Sequence, residues 1–403
     1  KIDASTLSAK KKSAYKKEKK AEAEARRQLR HRTWKAYQET HIVHLGDGIF
    51  YNDLVDADKF DVEKREKRLS ENQLPAINNV NELADFFGIS IAELRWLTYN
   101  RQAEKESHYA RFTIPKSNGK VRIISAPKPK LKAAQHKILY EILDGLSIHG
   151  KAHGFVPGRS IASHAQNHAG AKVLVKMDVK DFFPSITFPR VKGLFRKLGY
   201  QEQVAVILAL LCTESPRLPA SLAGEEYQVA LGPRSLPQGA PTSPTITNLI
   251  CRRLDRRMSG LAQKMGFVYS RYADDLAFSW HKEDKPKVGV LLKQGRKIIQ
   301  QEGFQPHPDK TRILRHHQRQ KLTGLIINPL EPEAQEAPKA RVPRKTIRQL
   351  KAAIYNRQQG KPVPEDETLD QLQGMAAFIY QTNPEKGALF LEQINALKQK
   401  ESS

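Results

Sequence analysis

The sequence predicts an α+β fold, because strand-like runs and amphipathic helices are mixed along the chain and no internal repeat is visible. Residues 109–124 alternate in polarity around an Asn118-Gly119 turn, which is typical of a β-hairpin. A second hairpin is predicted at 267–280, where two apolar-aromatic runs flank a short acidic turn. The β-branched run at 172–178 predicts a buried strand. These three segments indicate a sheet-containing core with helices around it.

Composition favours a polyanionic partner. The 403 residues include 68 Lys and Arg against 43 Asp and Glu, a formal net charge of +25 that is spread along the whole chain. Such an excess is typical of nucleic-acid binding. With only Cys212 and Cys251, a disulfide framework is not expected, and a reducing cytoplasm fits. No apolar run has the length of a membrane span, so no membrane partner is expected.

Residues 1–78 are predicted to form a basic helical N-terminal extension. Its first forty residues are rich in Lys, Arg, Ala and Glu, which favours a helix but leaves only a thin apolar face. A solvated helix and an arm lying along RNA phosphates both fit this composition. Further helices are expected on either side of Gly88, and at 131–143, 189–199, 201–212, 243–266, 285–302 and 343–400. Residues 213–235 suggest an irregular insertion and 331–342 a linker.

The first hairpin is cationic at its tip and return strand, where Lys116, Lys120 and Arg122 lie. Arg makes forked contacts with phosphate and Lys acts as a point charge, so this hairpin is suited to hold a triphosphate. An exposed charged turn is the plainer alternative.

Three acids are predicted to meet. Asp274 and Asp275 lie at the tip of the second hairpin, and Asp178 ends the buried strand. Adjacent carboxylates repel each other unless a cation neutralises them, and hard oxygen ligands suit Mg²⁺. Three carboxylates from strand ends can hold two Mg²⁺ ions for phosphoryl transfer. We therefore expect a two-ion site for nucleotidyl transfer.

In this order along the chain, six blocks resemble those of a reverse transcriptase. They are the basic hairpin, the Asp178 strand, Leu236-Pro237-Gln238-Gly239, Tyr272-Ala273-Asp274-Asp275, His307-Pro308-Asp309-Lys310 and Leu322-Thr323-Gly324. Within that superfamily the chain is most similar to a bacterial retron reverse transcriptase. The segment Ala165 to His168 resembles the Asn-Ala-x-x-His box of those proteins, and Leu322-Thr323-Gly324 resembles their Val-Thr-Gly box. Two positions depart from these patterns, His164 in place of Asn and Leu322 in place of Val.

The resemblance implies a right-hand polymerase with fingers, palm and thumb. It places fingers with part of the palm at 79–176, palm with an interleaved fingers segment at 177–330, and a helical thumb at 343–403. It makes Asp178, Asp274 and Asp275 the catalytic metal ligands, helped by the Val179 carbonyl. It also implies nucleotide binding and RNA binding by a larger set. The implied nucleotide-binding residues are Lys116, Arg122, Asp181, Phe183, Gln238, Gly239 and Lys310, and the implied RNA-binding residues are His164 and His168. Phe183 would exclude the ribose 2′-OH, while Phe182 would pack in the core.

The implied activity is RNA-directed DNA synthesis in a bacterial cytoplasm. The template-primer would be a structured noncoding RNA, and the substrates dNTPs. Synthesis would start from a guanosine 2′-OH of the RNA and yield a branched RNA–DNA product, multicopy single-stranded DNA, in antiphage defence with a separate effector protein. Two alternatives stay open at this point: another bacterial reverse transcriptase, of the intron type or a free-standing defence polymerase, and a non-catalytic RNA-binding scaffold.

Overall fold

The computed structural model describes residues 9–51, 64–115, 119, 121–329, 337–364 and 367–402. Helices and strands are mixed along the chain, which confirms the predicted α+β class. The chain divides into two compact units. Unit 1 comprises Lys1–Gly145 with Thr187–Thr242, and unit 2 comprises Leu146–Ile186 with Ser243–Ser403.

The α-helices of the described residues, in chain order, have the following bounds: α1 (Ala9–Thr40), α2 (Arg65–Glu71), α3 (Val80–Phe87), α4 (Ile91–Thr98), α5 (Pro129–Ile138), α6 (Ile161–Gln166), α7 (Phe188–Leu198), α8 (Glu202–Cys212), α9 (Ser243–Ile250), α10 (Arg252–Met265), α11 (Val288–Gln301), α12 (Arg344–Gln358), α13 (Leu369–Tyr380) and α14 (Pro384–Ser402). A π-helical turn, Leu139–Leu143, continues α5, and a 3-10 turn covers Pro308–Lys310.

The strands of the same residues have the following bounds: β1 (Ala103–Glu104), β2 (Tyr109–Pro115), β3 (Val121–Pro127), β4 (Val173–Lys180), β5 (Arg217–Leu222), β6 (Glu225–Ala230), β7 (Val268–Tyr272), β8 (Asp275–Trp280), β9 (Gln305–Pro306), β10 (Arg312–Arg315), β11 (Lys321–Leu322) and β12 (Leu325–Ile326). In unit 2, helix α11 and strands β4, β7 and β8 match the predicted elements closely.

Unit 1 contains the first predicted hairpin and a second that the sequence did not suggest. β2 and β3 pair antiparallel, with Phe112 opposite Ile124. The interpretation of residues 213–235 as an irregular insertion is wrong, because β5 and β6 form an antiparallel hairpin there and β1 adds to it in the order β1-β6-β5. A two-residue turn at Ala223-Gly224, both with positive φ, joins the strands.

The helices of unit 1 begin and end as their sequences indicate. The Ser90 hydroxyl accepts a hydrogen bond from the Glu93 N–H at the start of α4, and Gly88 ends α3 with φ of +69°. Gly199 ends α7 in the same way. Every residue of α8 except Gln203 is buried, which makes this helix the centre of the unit's core.

Unit 2 is built on a five-stranded antiparallel sheet. The strand order is β10-β4-β8-β7, and β9 pairs with the end of β4. β4 is central and its residues are almost all buried, in agreement with its continuous apolar run. The predicted 243–266 helix is two helices instead, because Cys251 interrupts it between α9 and α10, and Gly266 ends the second.

A helical subdomain packs at one side of this sheet. α12, α13 and α14 share a buried apolar cluster with β11, β12 and α6, which includes Leu322, Leu325, Ile354 and Ile394. Thr323 and Gly324 both have positive φ and separate β11 from β12, so these two strands form a tight hairpin. The described part of the predicted linker is held in place, since the Arg341 N–H donates to Ile326 at 2.9 Å. Within the part of the chain that the structure describes, no helix is both long and apolar enough to cross a membrane.

Candidate active site

The acidic turn of unit 2 faces the end of β4. In the β4–β8 ladder Asp178 is the direct Cα partner of Asp275, and Asp274 precedes it in the turn between β7 and β8. The Val179 N–H donates to the Asp274 carbonyl at 3.2 Å. Antiparallel register places directly opposite side chains on one face at close range. The three predicted aspartates therefore lie together, at the junction of two strands.

The backbone of this turn is strained and crowded. Ala273 has φ of +53°, a conformation that non-glycine residues seldom adopt outside functional turns. Gly154 approaches so closely that a Cβ atom there would lie 2.7 Å from the Ala273 nitrogen. The carbonyl of Gly154 is held at 2.9 Å by the Asn248 side-chain amide. A glycine is needed at 154 because the loop lies against the turn.

A buried ion pair between Arg271 and Asp255 supports the acidic turn. Arg271 makes a two-pronged contact with Asp255, at 2.8 Å through Nε and 2.7 Å through Nη2, and both side chains are fully buried. Arg271 also donates from Nη1 to the Ala273 carbonyl at 3.0 Å and from Nη2 to Asn248 at 3.0 Å. Burial alone would lower the pKa of Arg271, but the Asp255 carboxylate raises it above its usual value. The guanidinium thus stays charged and ties α9 and α10 to the turn.

Two lysines approach the carboxylates. Lys310 Nζ lies 3.0 and 3.1 Å from the two carboxylate oxygens of Asp178, and Lys176 Nζ lies 3.2 Å from Asp275. Lys176 is the diagonal neighbour of Asp275 across the β4–β8 ladder, on the same face. Burial raises the pKa of Asp178, the hydrogen bond from Lys310 opposes that shift, and the neighbouring Asp274 charge adds to it. Asp178 and Asp275 therefore each have a cationic partner in this structure.

The donor set suits a hard divalent cation. Three carboxylates offer oxygen ligands, and the ammonium groups of Lys310 and Lys176 lie beside Asp178 and Asp275, where a metal cation could bind. Among the residues with described positions, no three His, Cys, Asp or Glu side chains already stand as a ready ligand set. The carboxylates would need to turn from their lysine partners to share an ion. The position of the Val179 carbonyl as a ligand stays a prediction.

Aromatic rings lie beside the acidic turn. The Phe183 ring centroid is 6.4 Å from that of Phe155, which in turn lies 6.3 Å from that of Tyr272. Phe183 is partly exposed, whereas Phe182 is buried against Phe304 at 5.7 Å, as expected for core packing. A partly exposed ring next to the turn is compatible with a sugar contact, and the role of Phe183 stays a prediction.

Asp181 occupies a left-handed turn after β4. Its φ is +46°, and its carbonyl accepts the Ser185 N–H at 2.8 Å. Asp tolerates this backbone conformation better than most residues. The exposed side chain leaves its predicted part in nucleotide binding untested.

The two histidines predicted to bind RNA are fully buried. His168 is hydrogen-bonded through Nε2 to Ser270 at 2.7 Å and through Nδ1 to Ser279 at 2.7 Å, and Ser270 also bonds His164 at 2.8 Å. Burial lowers the pKa of His164 to about 2 and that of His168 to about 3. Their role in RNA binding stays a prediction, and burial restricts it to an indirect one.

The remaining predicted site residues belong to unit 1. Lys116 lies outside the described residues. Arg122 is exposed on β3. Gln238 accepts the Ser125 N–H through its carbonyl at 2.7 Å, and Gly239 has φ of +118° with no room for a Cβ atom beside Ile124. The Leu236 to Gly239 block is therefore fitted against β3, which explains its glycine.

Several supporting residues were missed by sequence reasoning. Lys176, Arg271, Asp255 and Asn248 lie on four different elements, β4, β7, α10 and α9. A lysine inside a β-branched strand and an arginine directly before the acidic turn were the available signals. A buried charge needs a partner, so these two positions pointed to nearby carboxylates.

Comparisons with known proteins agree with this geometry. The sequence pattern of the family described as reverse transcriptase (RNA-dependent DNA polymerase) matches residues 114–327. The Retron Mx162 reverse transcriptase of Myxococcus xanthus is 49% identical over 405 residues, covering 98% of this chain and 83% of the relative. The Retron Mx65 enzyme of the same organism is 39% identical over 80% of this chain and 72% of its own length. The Retron Ec86 reverse transcriptase of Escherichia coli is 32% identical over 83% of this chain and 93% of its own. The predicted family is confirmed: the chain belongs to the bacterial retron reverse transcriptases and is an RNA-directed DNA polymerase.

Proposed function

We propose that this polymerase copies part of a structured noncoding RNA into multicopy single-stranded DNA. Synthesis starts from a guanosine 2′-OH of the same RNA, so the product is a branched RNA–DNA molecule, and dNTPs are the substrates. The observation that carries the proposal is the meeting of Asp178, Asp274 and Asp275 at one strand junction, in a chain related to retron enzymes. The net charge of +25 supports an RNA partner.

Asp178, Asp274 and Asp275, with the Val179 carbonyl, are the proposed ligands of two Mg²⁺ ions. Enzymes of this family generally use divalent metal ions; the identity of the ion and the number two are part of the proposal. Bound ions would activate the attacking hydroxyl and neutralise charge on the phosphates. Lys310 and Lys176 now neutralise Asp178 and Asp275, and they would release these carboxylates when divalent ions bind. Lys310, half exposed, is then free to approach the pyrophosphate.

The remaining roles follow the family resemblance. Lys116 and Arg122 hold the triphosphate of the incoming nucleotide. Gln238 and Gly239 lie against the nucleotide and the template. Asp181 caps the local backbone near the triphosphate. Phe183 lies under the sugar and rejects a ribose 2′-OH. In this proposal the unit 2 sheet is the palm, the β2–β3 hairpin belongs to the fingers, and α12 to α14 form the thumb.

The biological role belongs to the proposal as well. Retron-type synthesis of a branched DNA is proposed to serve antiphage defence in the bacterial cytoplasm, together with a separate effector protein. Sequencing the nucleic acid that copurifies with the chain from cells tests the priming step. Recovery of DNA joined to RNA through a 2′ linkage is expected, and DNA with a free 5′ end would contradict it.

The catalytic assignment is tested by Asp274→Asn combined with Asp275→Asn. These substitutions keep side-chain shape and remove two negative charges, so primer extension with dNTPs and Mg²⁺ should fall by at least about a thousandfold. RNA binding should remain, since phosphate contacts carry most of the affinity. Filter binding to a structured RNA is the control measurement, and a comparable loss of binding would argue against a catalytic role.

A further inference from the structure

The basic helix α1 carries its charges unevenly. All side chains from 11 to 36 are exposed, and α1 has no continuous apolar stripe to bury. At 100° per residue, one sector of the helix holds basic residues at spacings of three, four and seven. We call this sector the basic stripe; it consists of Lys12, Lys16, Lys19, Arg26, Arg30 and Trp34.

Acidic residues lie outside that sector. Glu18, Glu22, Glu24 and Glu39, the four acids of α1, project from other directions on the same helical wheel. Glu22 borders the stripe and pairs with Lys19 at 2.7 Å and with Arg26 at 3.9 Å. These pairs are well exposed and therefore weak. Lys16 and Arg30 in the stripe have no acid beside them on the wheel.

The stripe ends in stacked aromatic rings. Trp34 stacks on Tyr37 with centroids 5.9 Å apart, and Tyr37 stacks on His41 at 4.1 Å. Trp34 is nevertheless half exposed, with 49% of its surface accessible. An exposed indole held by its neighbours offers a flat face for a nucleobase next to a row of cations.

We propose that the basic stripe of α1 binds the phosphodiester backbone of structured RNA. From Lys12 to Trp34 the stripe is about 33 Å long, enough to follow the phosphates of a duplex for about one turn. Trp34 then stacks on an unpaired or terminal base at the end of the duplex. The inference rests on the proposed RNA-copying function for the identity of the polyanion, and it assigns an RNA-binding surface outside the polymerase core.

A matched pair of triple variants tests the stripe. Lys12→Ala, Lys16→Ala and Arg30→Ala remove two Lys and one Arg from the stripe. Lys17→Ala, Arg32→Ala and Lys35→Ala remove the same residue types from the opposite side of α1. Alanine favours helix, so circular dichroism should show intact α1 in both. The helix is about 10–12 Å wide and the screening length is about 8 Å at 0.15 M salt, so the opposite side contributes little.

The measurement is filter binding of the full chain to a synthetic RNA hairpin across a salt series. We expect the stripe variant to bind about tenfold more weakly at 0.15 M salt, with the log–log salt slope reduced by about 2 to 3. The opposite-side variant should change affinity by less than about twofold. Equal losses in both variants, or no loss in the stripe variant, would overturn the proposal.

Two further arms separate the alternatives. Trp34→Ala should weaken hairpin binding while Trp34→Phe restores it, because a phenyl ring still stacks. Binding of anionic phospholipid vesicles that depends on the stripe, with RNA binding unchanged, would also overturn the proposal. Primer extension on a saturating preformed RNA–DNA template should be equal in both triple variants. Absence of primer extension by the unaltered chain would instead contradict the polymerase assignment. Failure of the proposed function and failure of the basic-stripe proposal therefore give different results.

Discussion

At the scale of single residues, Arg271 connects the buried core of unit 2 to the acidic turn. Its guanidinium donates two hydrogen bonds to Asp255, one to the Asn248 side chain and one to the Ala273 carbonyl. A carbonyl in a turn with positive φ needs a donor if the turn is to keep one shape. The ion pair is therefore better explained as a positioning device than as a source of stability, because buried pairs gain little net free energy over apolar replacements.

Asp255→Asn should destabilise the protein by about 3–5 kcal/mol, because Arg271 loses its buried counter-charge. The double replacement Arg271→Met with Asp255→Leu should restore much of the free energy of unfolding, since no unpaired charge remains. DNA synthesis should stay low in the double variant because the Ala273 carbonyl has lost its donor. Urea unfolding and primer extension measure the two effects. If the double variant recovers DNA synthesis as well as stability, Arg271 does not position the acidic turn.

Phe183→Ala should admit ribonucleotides, because removing the ring opens space for a 2′-OH. Discrimination between dNTP and rNTP should fall by about 10- to 200-fold, the range for a shape-based pocket contact. The matched control is Phe182→Leu, which changes a buried neighbouring ring and should affect stability but leave discrimination intact. The ratio of kcat/KM values for the two nucleotides is the readout, and unchanged discrimination in Phe183→Ala would contradict the assignment.

At the scale of secondary-structure elements, a hydrogen-bonded row joins α6 to the β7–β8 hairpin. His164, Ser270, His168, Ser279 and His281 follow one another in this row, at distances of 2.7 to 2.9 Å. The His164 ring lies 5.8 Å from Tyr272 at the acidic turn, whereas His281 is exposed. A neutral imidazole donates from one ring nitrogen and accepts at the other, and burial keeps His164 and His168 in this uncharged form by lowering the pKa of each.

Unit 2 should lose stability in mild acid. Burial lowers the pKa of His164 to about 2 and that of His168 to about 3, against about 6.5 in an unfolded chain. Below pH 6.5 the unfolded state therefore binds protons that the folded state refuses, so stability present at neutral pH is lost as pH falls toward these values. Each histidine should cost about 2 kcal/mol by pH 5.

Urea unfolding between pH 7.5 and 5 measures this loss. His168→Gln keeps hydrogen-bonding capacity but cannot titrate, so its stability should depend less steeply on pH than that of the unaltered chain. His317→Gln, at an exposed position, is the control and should behave like the unaltered chain. If His168→Gln retains the full pH dependence, other groups are responsible.

Sequence reasoning succeeded where local pattern determines structure. Polarity alternation with Asn118-Gly119 predicted the β2–β3 hairpin, and the acidic turn between two apolar runs predicted the pairing of β7 with β8. It failed for β5 and β6, because prolines and glycines in 213–235 concealed a short hairpin whose partner strand, β1, lies over a hundred residues earlier. The break at Cys251 had no local signal either.

The site shows the same division. The three aspartates were predictable because each follows a strand-like run, and strand ends meet in sheets. Lys176, Arg271 and the burial of His164 and His168 depend on which elements pack together, which no local spacing encodes. The family resemblance implied RNA binding by the two histidines, and no local pattern indicated that both are buried.

At the scale of the whole molecule, positive charge dominates. The excess of 25 positive charges is distributed over both units, and α1 alone carries twelve Lys and Arg against four Glu. When such a basic surface binds RNA, the RNA releases condensed counterions. The affinity for RNA therefore depends on salt concentration.

RNA affinity should therefore fall steeply with salt. Six or more phosphate contacts give a log–log slope of about −5 or steeper, which amounts to about a thousandfold loss of affinity between 50 and 200 mM salt. Filter binding to an RNA hairpin over this range measures the slope. The Asp274→Asn, Asp275→Asn variant is the control and should give a similar slope, because its changes lie at the proposed catalytic site rather than along the basic surface. A flat dependence would mean that base contacts or shape carry the affinity, and that the positive charge serves another purpose.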